Sequence, residues 1–385
     1  MSKTNNQAAI VGIGQTEFSK DSGRSEQQLA AEAVIAACED AGINPEEIDG
    51  CITYTIDNSD EVDLLRSVGC KELNYTVRLP QGGAANAATL YHAKNAVESG
   101  VCDVVVIWRA MNERSQYRFG QPTVSISPDA NGSTFIEWCF PFGAQTPASW
   151  EALSCGQYLS KYGVTSEDLG NIAVLMRKHA ATNPNAWFYN QPITLDDHQN
   201  SRWIVKPWLR LLDCCQESDG GVAIIVARMD KAKDLKQTPA RLLAAQYSFL
   251  FNHEIISDFY EGDLTGLPFS ERVTEKLIED AGIAPKDTDV AMIYDNFTPQ
   301  VLRQLEGFGY CGPGEAKDYI ADGNMELDGK TPLSPNGGLI GEGYIHGMNN
   351  ITEAVRQIRG TAANQVQKVE TAFVASGVAG AILGK

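Results

Sequence analysis

The chain has 385 residues, a formal net charge of −18, 43% hydrophobic residues and 21% charged residues. Those values describe an ordinary globular protein, too long for one small core and long enough for two domains or one large α/β body. A surplus of negative charge repels phosphate and argues against general nucleic-acid binding, and no stretch approaches the roughly 18 to 20 apolar residues of a membrane span.

The N-terminal MSKTNNQAAIVGIG has no signal-peptide architecture. Residues 8–11 read as a short buried strand closed by Gly12 and Gly14, and the following GIGQTE lacks the glycine spacing of a dinucleotide-binding turn. Ser25 with Gln28 forms a capping-box pattern. It predicts an amphipathic helix with Leu29, Ala33, Ala36 and Ala37 on the apolar face and Gly42 as the stop. Residues 51–56 read as a strand. Residues 77–100 read as a glycine-rich turn leading into an alanine-rich helix, and residues 104–108 (VVVIW) as a strand buried on both faces. Residues 112–148 are long, aromatic and irregular, the length of a lid or binding insertion. Helices are expected over 149–162 and 166–181, and a further buried strand over 222–227. Tyr247, Phe249 and Phe251 line a pocket or pack in a core. The nine cysteines contain no CxxC pair and the five histidines no HxxxH spacing. A disulfide framework and a structural zinc site are therefore not expected, and a reducing cytoplasm is.

Self-comparison gives a repeat. Residues 39–58 resemble residues 279–298, with Glu39, Gly42, Pro45, Asp49 and Tyr54 matching Glu279, Gly282, Pro285, Asp289 and Tyr294 at a constant offset. Each copy reads as helix, glycine stop, proline turn, strand, with Ser25 and Ser270 preceding the two helices. Two units at this separation indicate a duplication, not a solenoid. The halves span 1–245, with an insertion at about 113–215, and 246–385. Ligands commonly bind between such halves, so the turn at Gly82 and Gly83 and the turn at Gly343 and Tyr344 are expected to face one cleft.

The late stretch SPNGGLIGEGYIHGMNN (334–350) carries five glycines between Gly337 and Gly347 and runs into a helix-like segment over 350–359. Glycine lets backbone approach a ligand closely, and a glycine loop before a helix offers N–H groups to an anion. Tyr344 and His346 project from it. The alternative is a tight structural turn with a solvated tyrosine.

With VGIGQTEF near the start, LRLLDCCQESDGG in the middle and NGGLIGEGYIHG late, the chain resembles the thiolase superfamily, in its lipid-transfer branch. The resemblance implies an α/β fold of two pseudo-symmetric halves layered α-β-α-β-α. Thiolases use a cysteine at the start of a first-half helix, a histidine after a second-half strand and a Gly-His pair in the late glycine loop. Aligned by their neighbours, those positions hold Gly83, Tyr294 (in YDNF) and Gly343-Tyr344. Many thiolases carry a further cysteine where this chain has Ser376. Glycine cannot form an acyl-enzyme, which removes the thiolase mechanism, whereas both histidine positions have become tyrosine.

That pattern is similar to the steroid side-chain-cleaving aldolases of actinobacteria. It implies retro-aldol cleavage of a 17-hydroxy-3-oxo-pregnene-20-carboxyl-CoA to a 17-ketosteroid and propionyl-CoA. No cofactor is implied, coenzyme A being part of the substrate. The implied partner is a zinc-ribbon/OB-fold subunit associated with a hydratase, around a homodimeric core. On this reading Tyr344 is the base on the hydroxyl and Tyr294 the acid, with the reverse also open. Tyrosine is a poor base at its ordinary pKa of about 10. Tyr344 must be depressed, as by the positive end of the following helix, or act in a proton relay. The backbone of 337–343, with Gly343, is expected to hold the thioester oxygen. His346 and Asp295 are candidates for tuning, Tyr247 for substrate contact, and Gly83 for opening room for a steroid D-ring. Two other readings stay open: an inactive thiolase-like scaffold subunit, and a thiolase using another cysteine such as Cys311.

Overall fold

A computed structural model gives the fold for residues 7–55, 57–80, 82–116, 118, 120–121, 139–250 and 262–385. Most of the irregular stretch over 112–148 lies outside these residues, as does Phe251. The strands are β1 (Ala8–Gln15), β2 (Gly50–Tyr54), β3 (Tyr75–Leu79), β4 (Val104–Asn112), β5 (Trp203–Val205), β6 (Leu209–Arg210), β7 (Asp219–Arg228), β8 (Ala240–Tyr247), β9 (Val290–Met292), β10 (Thr371–Ala375) and β11 (Ala379–Gly384). β5 and β6 form a small ribbon, and the other nine make one mixed sheet in the order β3-β2-β4-β7-β1-β8-β11-β10-β9.

The sheet carries the repeat. Towards the seam, β2-β4-β7-β1 in the first half is mirrored by β9-β10-β11-β8 in the second. In both halves the first of these pairs is parallel and the next two are antiparallel. β3 has only a vestige opposite it, a single parallel bridge from Ala291 to Leu333. The seam itself is short: Ala9 faces Arg241 and Ile10 faces Ala240. β8 spans the 245/246 division.

Local signals explain the repeated units. Ser25 Oγ accepts the Gln28 N–H at 3.1 Å to open the Glu26–Ala41 helix, and Gly42 ends it in the left-handed region at φ 75°. The equivalent Pro268–Ala281 helix ends at Gly282 with φ 68°. Short turns starting at Pro45 and Pro285 then lead into β2 and β9. Ser270 departs from expectation. It lies inside its helix, because Pro268 takes the first helical position, where its missing N–H costs nothing.

The Glu26–Ala41 helix packs on β1, β4 and β7, and the Pro268–Ala281 helix on β8 and β11. The helices Asn86–Glu98 and Met348–Arg359 touch each other and strands of both halves. Met348–Arg359 buries polar residues as well as apolar ones, among them Asn349, Asn350 and Glu353, as a helix between two layers does. The result is the expected α/β body of two similar halves, built on the nine-strand sheet. Strand β3 falls partly in the stretch read as a turn. Its residues alternate between half-buried and exposed until Leu79, the mark of an edge strand without a continuous apolar run. All nine cysteines are free thiols.

Candidate active site

Three segments meet between the halves: the Gly82–Ala85 turn, the chain just beyond β9, and the late glycine loop. Asn86 Nδ2 donates to the Gly347 carbonyl at 2.9 Å, and Tyr54 Oη donates to the His346 carbonyl at 3.2 Å. These bonds hold the second-half loop against the first half. The hydroxyls of Tyr294 and Tyr344 lie 3.0 Å apart, both buried. A Cβ built on Gly83 would stand 1.8 Å from Tyr294 Oη and 3.3 Å from His346 Cδ2. The expectation that Gly83 leaves room for a steroid ring is thus corrected: the Tyr294 phenol occupies that room.

Of the two alternatives left open for Tyr344, a depressed phenol is not what its surroundings favour. Tyr344 sits ahead of Gly347, the N-cap of the Met348–Arg359 helix, and its hydroxyl is buried. Burial first, then the neighbouring Tyr294, Cys215 and Glu113, push the Tyr344 phenol well above its ordinary range. Burial also pushes Tyr294 up, against the opposing effect of the bond from Tyr344. Both side chains are neutral phenols at neutral pH.

His346 holds a left-handed φ of 49° and lies edge-on to Tyr344, with ring centroids 5.2 Å apart. Arg109 Nε donates to its Nδ1 at 3.1 Å, which places the ring proton on Nε2. Burial, then the guanidinium, holds His346 well below its ordinary value, so the ring is neutral. Arg109 rises from the middle of β4, fully buried, with Nη1 3.2 Å from Asp57 Oδ2.

Asp295 accepts the Leu339 N–H on both oxygens at 2.9 Å and the Ile340 N–H at 3.2 Å. It anchors the start of the short Gly338–Gly341 helix. A Cβ on Gly338 would come within 2.2 Å of Asp295 Oδ2, so glycine there admits the carboxyl. Burial raises Asp295 to about 7, against these N–H donors. From 337 to 344 nearly every N–H is engaged within the protein, on Ser334, Asn336, Asp295, Gly337, Gly338 and Ser218. The Gly343 N–H is the one without a partner among the described residues.

Tyr247 stands to one side. Its ring lies 6.5 Å from Tyr91 and 6.2 Å from His92, and it packs beside Ala84. Ser376 Oγ donates to the Ala84 carbonyl at 2.8 Å. Burial pushes the Cys215 thiol well above its usual range, so it is no thiolate at neutral pH. Cys311, pushed up to about 12, lies near Glu306 and Glu315. The site therefore offers two neutral phenols sharing a proton and a neutral imidazole.

Two curated relatives match the whole chain. A steroid side-chain-cleaving aldolase of Thermomonospora curvata is 49% identical over 98% of this chain and 97% of its own. A 17-hydroxy-3-oxo-4-pregnene-20-carboxyl-CoA lyase of Mycobacterium tuberculosis is 49% identical over 98% and 99%. Residues 252–383 match the family model described as thiolase C-terminal domain-like. This chain belongs to the thiolase superfamily. Within the superfamily it is a carbon–carbon lyase of the aldolase type. A solved Ltp2-ChsH2(DUF35) aldolase superposes with a TM-score of 0.93 at 48% identity, covering 100% of this chain and 99% of that one. Human mitochondrial 3-ketoacyl-CoA thiolase shares the fold alone, with a TM-score of 0.70 at 15% identity over 99% of each chain.

Sequence reading missed Arg109, Asp57, Asn86 and Glu113. A signal for two of them was present: Arg109 interrupts the apolar run of β4, and Glu113 follows directly on its end, in VVVIWRAMNE. A charge on a doubly buried strand needs a partner or a task.

Proposed function

We infer that the chain cleaves the side chain of a 17-hydroxy-3-oxo-4-pregnene-20-carboxyl-CoA by a retro-aldol reaction, through a relay in the tyrosine pair. The observation that carries the relay is the 3.0 Å contact between the two hydroxyls over Gly83. A neutral phenol accepts a proton only while passing on its own. Tyr344 takes the C17 hydroxyl proton as its own proton crosses to Tyr294. The C17–C20 bond breaks, leaving a 17-ketone and placing the electron pair in the thioester enolate. As the Tyr344 proton arrives, Tyr294 delivers its own proton to C20, giving propionyl-CoA. One proton enters and one leaves, so the site needs no covalent intermediate. The opposite direction uses the same bond.

Gly343 N–H faces the developing enolate oxygen as a fixed donor. His346 orients the Tyr344 ring, and Asp295 anchors the loop. Tyr247 and Ala84 form an apolar wall for the substrate. A partner of the zinc-ribbon/OB-fold kind is inferred from the solved Ltp2-ChsH2(DUF35) aldolase, around a homodimer formed along the outer edge of β3, which ends the sheet. Among the described residues no helix is long and apolar enough to cross a membrane. Nine free thiols fit a reducing cytoplasm.

The test is propionyl-CoA release from this substrate with the partner present. Tyr294→Phe and Tyr344→Phe each lose about 10²- to 10⁴-fold, and the double variant little more, since the residues act as a unit. Full release by both single variants rejects the relay. No release by the wild type with its partner favours the scaffold reading.

A further inference from the structure

The relay does not use the carboxyl of Glu113. This residue directly follows β4, at the start of the turn over 113–116, and within β4 residues 109 and 111 share one face. On that face Arg109 reaches His346, and Met111 packs in the apolar core that contains Tyr294 and Tyr344. Glu113 is only 4% exposed, and its Oε2 has no hydrogen-bond partner among the described residues. Nearby carboxylates are engaged. Asp219 accepts the N–H groups of Ser22, Arg114 and Ser115, and Glu217 accepts from Arg118 and the Gly120 N–H. A buried carboxyl without such partners is costly unless a ligand completes it.

We propose that Glu113 is a further catalytic residue, donating a hydrogen bond to the thioester oxygen as the enolate forms. The proposal rests on the retro-aldol reading. It supplies what the glycine loop lacks: with its other N–H groups engaged, Gly343 alone is a single donor for a charge that oxyanion sites hold with several. Donation requires the protonated acid. Burial, then Glu217, raises Glu113 well above the carboxylate range, with Asp219 adding to this and Arg109 and Lys20 opposing it. Lys20 is itself lowered to about 8, chiefly by burial, which weakens its opposition above that pH. Glu113 acts electrostatically on Cys215 and on both phenols.

Rates of propionyl-CoA release are measured with the partner complex of wild type, Glu113→Gln and Glu113→Leu, from about pH 6 to about pH 10. Glutamine keeps a donor and cannot ionise. It is expected to stay within about tenfold of wild type and to lose the alkaline fall-off, whereas leucine loses about a hundredfold or more in kcat at little-changed KM. Equal losses in both variants overturn the proposal, because they mark a carboxylate or proton-transfer role. Full activity in Glu113→Leu overturns it too. If the leucine variant fails to fold, the glutamine profile decides, and an alkaline limb unchanged from wild type rejects the proposal. Absence of cleavage by the wild-type complex rejects the aldolase reading instead.

Discussion

Replacing Gly83 with alanine adds one methyl group at the tightest contact of the tyrosine pair. The new Cβ would lie 1.8 Å from Tyr294 Oη and 2.7 Å from Cζ. Non-bonded heavy atoms settle near 3.5 Å, so the phenol must retreat by roughly 1.5 Å. A shift of that size breaks the 3.0 Å bond to Tyr344. Misplacing a reacting group by about 1 Å costs about a hundredfold, and the retreat here exceeds that. The expected loss in kcat is therefore about a hundredfold or more, or about 2.7 kcal/mol in the barrier. A buried hydroxyl deprived of its partner adds about 1–3 kcal/mol of destabilisation. The assay is propionyl-CoA release by the partner complex, with urea unfolding alongside. In a Tyr294→Phe background the hydroxyl is already gone, so Gly83→Ala should add far less than it costs alone. Wild-type turnover in Gly83→Ala would refute the reasoning, since the relay would then not depend on the place Tyr294 occupies.

Two further outcomes are expected. Arg109→Lys keeps the charge but loses the planar head that spans His346 Nδ1 and Asp57. Urea midpoints should report a loss of roughly 3–5 kcal/mol, and turnover should fall as His346 loses its orientation; an unchanged midpoint would contradict the assigned contacts. Glu151 is fully buried, accepts from Gln300 at 2.7 Å and is raised from the ordinary carboxylate value of about 4.5 to about 7, chiefly by burial. A folded pKa above the unfolded one gives stability that is complete below the unfolded value and is lost as pH rises through the folded value. Glu151→Gln removes that dependence. Its advantage in unfolding free energy over wild type should widen between about pH 4.5 and about pH 7, reach the order of 3 kcal/mol and then level off. A difference independent of pH would show that Glu151 does not ionise as described.

The fold was largely legible because its signals are local. Ser25, Gly42, Gly282 and the two prolines act through their own turns, and the offset repeat exposed the mirrored sheet. β3 was not, because an edge strand buries one side and leaves the other to water. Ser270 misled because a serine before an apolar run resembles a cap, until Pro268 claims the first turn. The two tyrosines were singled out by the resemblance, and the structure brings their hydroxyls together, but their ionisation was not legible. A pKa depends on which atoms surround the hydroxyl, and Gly83, Cys215 and Glu113 come from distant parts of the chain. Arg109 and His346 are 237 positions apart, and no periodicity within either segment encodes their contact.

Duplication ordinarily leaves two copies of a pocket, each owned by one copy of the gene segment. Tyr54 ends β2 and Tyr294 lies just beyond β9 at the equivalent place, yet only Tyr294 has its hydroxyl against another tyrosine's. The Tyr54 hydroxyl is tied to the His346 carbonyl, so one twin holds the loop and the other meets a second tyrosine. Only two residue pairs join the halves at the seam of the sheet, but the site ignores that seam, with Gly83 on one side and both tyrosines on the other. Neither half can therefore be exchanged for that of a relative, or drift on its own, without its counterpart changing too. A side chain regained at position 83 would have to be answered at position 294.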